Sequence, residues 1–132
     1  MNNASIYSRK KQYIYSEFKK LKKKFPTGKY ECELILKRNL GDYYGFCESP
    51  YCDTDTGNTI SISISLKGQD VNDLFNTLLH EYAHALVFVK HANSKADDRI
   101  AKILGHTDEW GQVYAQLYRE FNKGSEMGVK VR

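Results

Sequence analysis

The sequence predicts an α+β fold: a small domain in which a basic N-terminal helix, a three-stranded sheet, a central apolar helix and C-terminal helices share one core. Three observations predict it. Residues 59–66 alternate strictly, with Ile60, Ile62, Ile64 and Leu66 on one side and Ser61, Ser63 and Ser65 on the other, the period of a half-buried strand. Residues 71–91 carry Val71, Leu74, Phe75, Leu78, Leu79, Tyr82, Leu86 and Val89 at helical spacing, a stripe broad enough for a central helix. Residues from about Ser5 to Phe25 repeat apolar side chains at Ile14, Phe18, Leu21 and Phe25, one face of a further helix.

The elements follow in order. Lysines fill the solvent side of the first helix, and Pro26-Thr27-Gly28 ends it. Residues 29–37 read as a strand, residues 38–42 as a turn and residues 43–48 as a second strand. Asp53 and Asp55 before Gly57 resemble part of a calcium loop, but the distal glutamate is missing, so the segment reads as a turn. The serine-isoleucine strand comes next. Asp70 is suited to cap the central helix, with Asp73 adding a favourable charge in its first turn. Ser94 can cap a short helix over 95–104 that Gly105 closes. Thr107 can cap a last helix with Asp108 and Glu109 in its first turn and Trp110, Val113, Tyr114, Leu117 and Phe121 as its buried stripe. The end, 123–132, reads as a polar, mobile tail.

A chain of 132 residues suits a single domain, here 1–132 with its core at about 5–122. No apolar run reaches the roughly 18 residues of a membrane span, and the start lacks the apolar centre of a secretory signal. An intracellular, cytoplasmic protein is expected. Cys32, Cys47 and Cys52 are odd in number, which argues against a disulfide framework. Charge is unevenly placed. Residues 1–29 hold nine Lys/Arg against Glu17 alone, so this stretch is +8 while the whole chain is +4. Arg9, Lys10, Lys11, Lys19, Lys20, Lys22, Lys23 and Lys24 form either a solvated helix face or an electrostatic footprint for DNA.

Chemistry concentrates at His80-Glu81-Tyr82-Ala83-His84. On a helix, residues four apart share a face, so His80 and His84 can present two imidazoles to one metal ion. Glu81 points about 100° round the helix, where its carboxylate can take a proton from an attacking water. Catalytic zinc takes three protein ligands and keeps a position open. His91 shares the helix face but lies about 10 Å beyond His84, too far to bind the same ion. His106 is the leading third ligand, Glu109 the alternative and Asp108 a more distant one.

These residues resemble the SprT-like zinc metallopeptidases, a family that includes Spartan-type proteases acting on DNA–protein crosslinks. The resemblance is carried by Leu78-Leu79-His80-Glu81-Tyr82-Ala83-His84-Ala85 followed by Gly105-His106 and Trp110, and by the order of elements over about 5–122. It implies a zincin-like domain with Zn2+ held by His80, His84 and His106, and Glu81 as general base. Thr107 stands where the family motif has glycine, and nothing after Phe121 fits the zinc ribbon or DNA-binding extension of many relatives.

The expected function is a zinc-dependent metalloendopeptidase acting on a protein or peptide substrate, including DNA-associated proteins, with no membrane partner. The serine side of the 59–66 strand (Ser61, Ser63, Ser65) is expected beside the site, where an edge strand could pair with an extended substrate. Two alternatives stand beside it: a nucleic-acid-binding protein with a structural or vestigial zinc site, and a narrow regulatory protease of the ImmA/IrrE type.

Overall fold

The computed structural model describes the backbone of residues 3–50, 58–92 and 106–129 and the side chains of 6–50, 58–92 and 106–121. The elements run α1 (Asn3–Lys24), β1 (Glu31–Lys37), β2 (Gly45–Glu48), β3 (Thr59–Ser65), α2 (Val71–His91) and α3 (Asp108–Val129). The expected turn at 53–57 and helix at 95–104 lie outside the described residues.

Helix α1 buries Ile14, Phe18 and Leu21, the stripe its spacing predicts. After Pro26 the chain reverses through Gly28 at φ 62, a backbone angle that favours glycine. Thr27 is buried there, and its hydroxyl donates to the Tyr30 carbonyl at 2.7 Å. The turn thereby delivers the chain into β1.

The three-stranded sheet has the order β1-β3-β2, with β1 parallel and β2 antiparallel to β3. Cys32, Leu34 and Leu36 lie in register with Ile60, Ile62 and Ile64, so one sheet face is apolar across two strands. Ile60, Ile62 and Ile64 are fully buried. On β2, Gly45 and Cys47 pair with Ile64 and Ile62 and share that face.

Two expectations are corrected here. First, β3 is the central strand, not an edge; it is already paired on both sides and cannot take up a peptide strand. Second, Ser61, Ser63 and Ser65 point to the sheet face opposite α2. A Cβ built on Gly45, a partner of the isoleucine face, would meet Thr77 and Glu81 of α2, which identifies that face as the helix side. Ser63 and Ser65 are buried, and Ser61 donates to Glu33 at 2.8 Å.

Helix α2 begins at a capping box: the Asp70 carboxylate accepts from Asp73 N at 2.8 Å, and the Asp73 carboxylate accepts from Asp70 N at 3.3 Å. Its buried set includes Leu74, Leu78, Leu79, Tyr82, Ala83, Ala85, Val87 and Phe88. Val71, expected inside, is exposed. The Tyr82 hydroxyl donates to the Phe25 carbonyl at 2.6 Å, so the buried phenol is satisfied and α2 is fastened to the end of α1. Helix α3 packs on α2 through Leu117 and the partly buried Trp110, Val113, Tyr114 and Phe121. Its backbone stays helical through Val129, beyond Phe121, where the sequence pattern places the end of the stripe. One hydrophobic cluster joins α1, the sheet, α2 and α3. No helix among the described residues is long and apolar enough to cross a membrane.

Candidate metal centre

The middle of α2 holds His80, Glu81 and His84, and the start of α3 brings His106 to them. Thr107 sets that start: its hydroxyl accepts from Trp110 N at 3.2 Å and its carbonyl from Gly111 N at 2.9 Å. A threonine in place of the glycine motif is thus a working N-cap, with His106 immediately before it.

The donor atoms of His80, His84 and His106 all lie within 4.8 Å of one another, and the three residues could hold a metal ion. His106 Nε2 is 3.1 Å from His80 Nε2. Two imidazole nitrogens bound to one tetrahedral zinc are roughly 3.4 Å apart, so the spacing fits a shared ion. Burial, followed by the neighbouring His106, holds the His80 imidazole below its usual pKa. That favours the neutral ring, the form that binds metal.

Trp110 organises the rings. Its indole N–H donates to the His80 carbonyl at 3.2 Å, and its ring stacks on His84 with centroids 5.3 Å apart and 27° between planes. The His106 ring lies 4.5 Å from the indole on a tilted contact. Tyr114, one turn along α3, stacks parallel to the indole at 5.3 Å and 3° and fixes its rotamer.

Glu81 is buried at 6% exposure, with a carboxylate oxygen 3.9 Å from His80 Nε2. Burial pushes its carboxyl up to about 7, because the charged form is poorly solvated there. A dication on the three imidazoles acts in the opposite sense and favours the carboxylate.

Two open clefts meet at His80 and Glu81. One, of ≈ 330 Å³, is lined by Tyr43, Phe46, Cys47, Ser49, His84 and His106; the other, of ≈ 340 Å³, by Tyr44, Asn76, Thr77 and Tyr114. Gly45 borders both. A Cβ on Gly45 would sit 2.8 Å from Thr77 Cγ2 and 3.0 Å from Ser63 O, so only glycine lets β2 lie this close to α2. The buried Gln69 holds the same junction. Its amide donates to the carbonyls of Tyr44 at 3.2 Å and Ser65 at 2.5 Å, and accepts from the Thr77 hydroxyl at 2.5 Å. Sequence reasoning missed both residues. A lone glycine inside a short strand pattern was the available signal for Gly45.

The other candidates fall elsewhere. Glu109 does not face the metal centre: it binds His91 Nε2 at 2.6 Å and Lys90 Nζ at 2.8 Å. The lysines of α1 divide. Lys10 donates to the Leu66 carbonyl, Lys20 pairs with Glu17, Lys22 with Glu31 and Lys24 with Glu120. Arg9, Lys11, Lys19 and Lys23 are exposed and form no ion pair among the described residues. Cys32 and Cys47 are free thiols, and burial raises both, Cys32 to about 12. Cys52 lies outside the described residues.

A helix bearing two histidines one turn apart, a third histidine arriving at the start of a later helix, and a buried carboxylate beside them define a metallopeptidase-like domain. The chain belongs to the SprT-like family, whose model matches residues 14–130. Searches of curated proteins and of solved structures gave no match.

Proposed function

We propose that this protein is a zinc-dependent metalloendopeptidase in which His80, His84 and His106 hold the ion and Glu81 is the general base. The convergence of three imidazoles and one buried carboxylate on an open cleft carries the reading. Three nitrogen donors suit zinc, and three protein ligands leave a position for chemistry. Bound zinc supplies Lewis acidity, acidifying water and polarising a carbonyl. Glu81 takes the proton from the attacking water and later delivers it to the leaving amine. Trp110 keeps His80 and His84 oriented for the ion.

The substrate runs along β2. Among the described residues this four-residue strand is the sheet edge beside the centre, and an extended peptide can pair with its outer side through main-chain hydrogen bonds. Main-chain pairing favours an unfolded or flexible protein segment over a compact one. The test is hydrolysis of an unfolded protein. A strong chelator is expected to stop cleavage and stoichiometric zinc to restore it; cleavage that survives complete zinc removal would refute the assignment.

The exposed cations of α1 form a second, sequence-independent surface for DNA, which would bring the enzyme to DNA-associated substrates. With four of the eight cations held by internal partners, the free footprint is Arg9, Lys11, Lys19 and Lys23. Replacing Lys19 and Lys23 by alanine should weaken binding to a short duplex at low salt. It should also reduce the slope of log affinity against log salt by about 2. An unchanged slope removes α1 from the interface.

A further inference from the structure

His91 and Glu109 lie outside the three-histidine group and bind each other. We propose that the clasp of Glu109 with His91 and Lys90 is the positioning device for the third metal ligand, an inference that rests on the three-histidine metal reading.

The geometry has two parts. Trp110 grips the middle of α2 through the His80 carbonyl at 3.2 Å. Glu109 grips its last turn with one carboxylate oxygen 2.6 Å from His91 Nε2 and the other 2.8 Å from Lys90 Nζ. The two grips are ten residues apart on α2, about 15 Å. Packing of Val113, Tyr114 and Leu117 holds the body of α3 against the core, and the two grips, made by adjacent residues, fix the place of its first turn. His106 lies three residues before Glu109, within about 10 Å of chain, so the place of that first turn sets where its imidazole arrives.

The clasp is built to hold. His91 and Glu109 side chains are only 13% and 23% exposed. The hydrogen bond from Lys90 is the main influence holding the Glu109 carboxyl below its usual range, against desolvation. The charges also suit their helices, with an acid in the first turn of α3 and bases in the last turn of α2.

The test is zinc affinity by competition with a chromophoric chelator, together with the absorption spectrum of the cobalt-loaded protein. Outer partners of a metal site typically account for 10–100-fold in affinity. Glu109→Ala and His91→Ala should each weaken zinc by about that factor and shift the cobalt bands. The double variant should be no weaker than either single one, as expected of one unit. Glu109→Gln keeps a hydrogen bond to His91 and should stay near wild type.

Wild-type affinity in Glu109→Ala overturns the clasp, and so do additive losses in the double variant. If Glu109→Gln is as weak as Glu109→Ala, the lost negative charge and not position is the cause, which also overturns it. Metal-free melting curves show whether Glu109→Ala folds; where it does not, His91→Ala carries the same comparison. A wild type that retains no zinc refutes the metal reading itself, whereas a zinc-binding wild type matched by Glu109→Ala refutes the clasp alone.

Discussion

Glu81→Gln is expected to yield a folded, zinc-loaded protein with peptide hydrolysis reduced by at least about 10³-fold, within the upper range for a lost general base. The substitution keeps shape and hydrogen-bonding capacity in a site that is 6% exposed, so neighbouring side chains have no reason to move. The three imidazoles are untouched, and elemental analysis should find zinc as in wild type. Stability gives an independent check. Burial raises the Glu81 carboxyl from 4.5 to about 7 in the metal-free fold. A raised acid makes the native state bind the proton that the unfolded chain has released, so metal-free wild type should lose stability as pH rises through that interval. The Gln variant lacks this component and should melt no lower than wild type at pH 8. Retained hydrolysis would give the base to another group. Lost zinc would make Glu81 a structural member of the centre.

The helices and the metal motif were legible because their information is local. One apolar period and the Asp70 cap delimit a helix over about 71–91, and the helix has those bounds. His80 and His84 share a face by helical geometry alone. His106 required the return of α3, yet only a few residue types can be a third ligand, and the family resemblance named it. Thr107 was readable as a cap, and the cap is present.

What the sequence did not disclose is neighbourhood. The alternation of residues 59–66 specifies a strand with two unlike faces but says nothing about which strands flank it or which face meets a helix. An edge position is compatible with that pattern, yet β1 and β2 pair on either side of the strand. The edge beside the centre belongs to β2, whose four residues are too few for a period to emerge. Gly45 becomes meaningful only where Thr77 crosses it, thirty-two positions later. The eight cations of the first helix looked equivalent because ion pairs to Glu31 and Glu120 depend on tertiary packing. Likewise Glu109 reads as a rival to His106, since a carboxylate can serve a metal or a histidine, and here it serves His91 and Lys90.

His106→Ala separates those last possibilities by rank as well as size. Zinc held by a protein site of this type is worth on the order of 12 kcal/mol, so one of three ligands accounts for about 4 kcal/mol, roughly a thousandfold in affinity. His106 is exposed and outside the hydrophobic cluster, so the metal-free variant should melt close to wild type. The loss should appear only with metal: at saturating zinc the wild type gains stability that the variant does not, by about 4 kcal/mol for a thousandfold change. A buried substitution such as Leu78→Ala would behave otherwise, lowering both metal-free and metal-loaded melting. If Glu109 were the third ligand, Glu109→Ala would exceed His106→Ala. The 3.1 Å approach of His106 to His80, and the engagement of both Glu109 oxygens by Lys90 and His91, require the opposite order. His106→Ala should weaken zinc most, Glu109→Ala and His91→Ala should follow by one to two orders of magnitude less, and a reversal of that order would reassign the ligand.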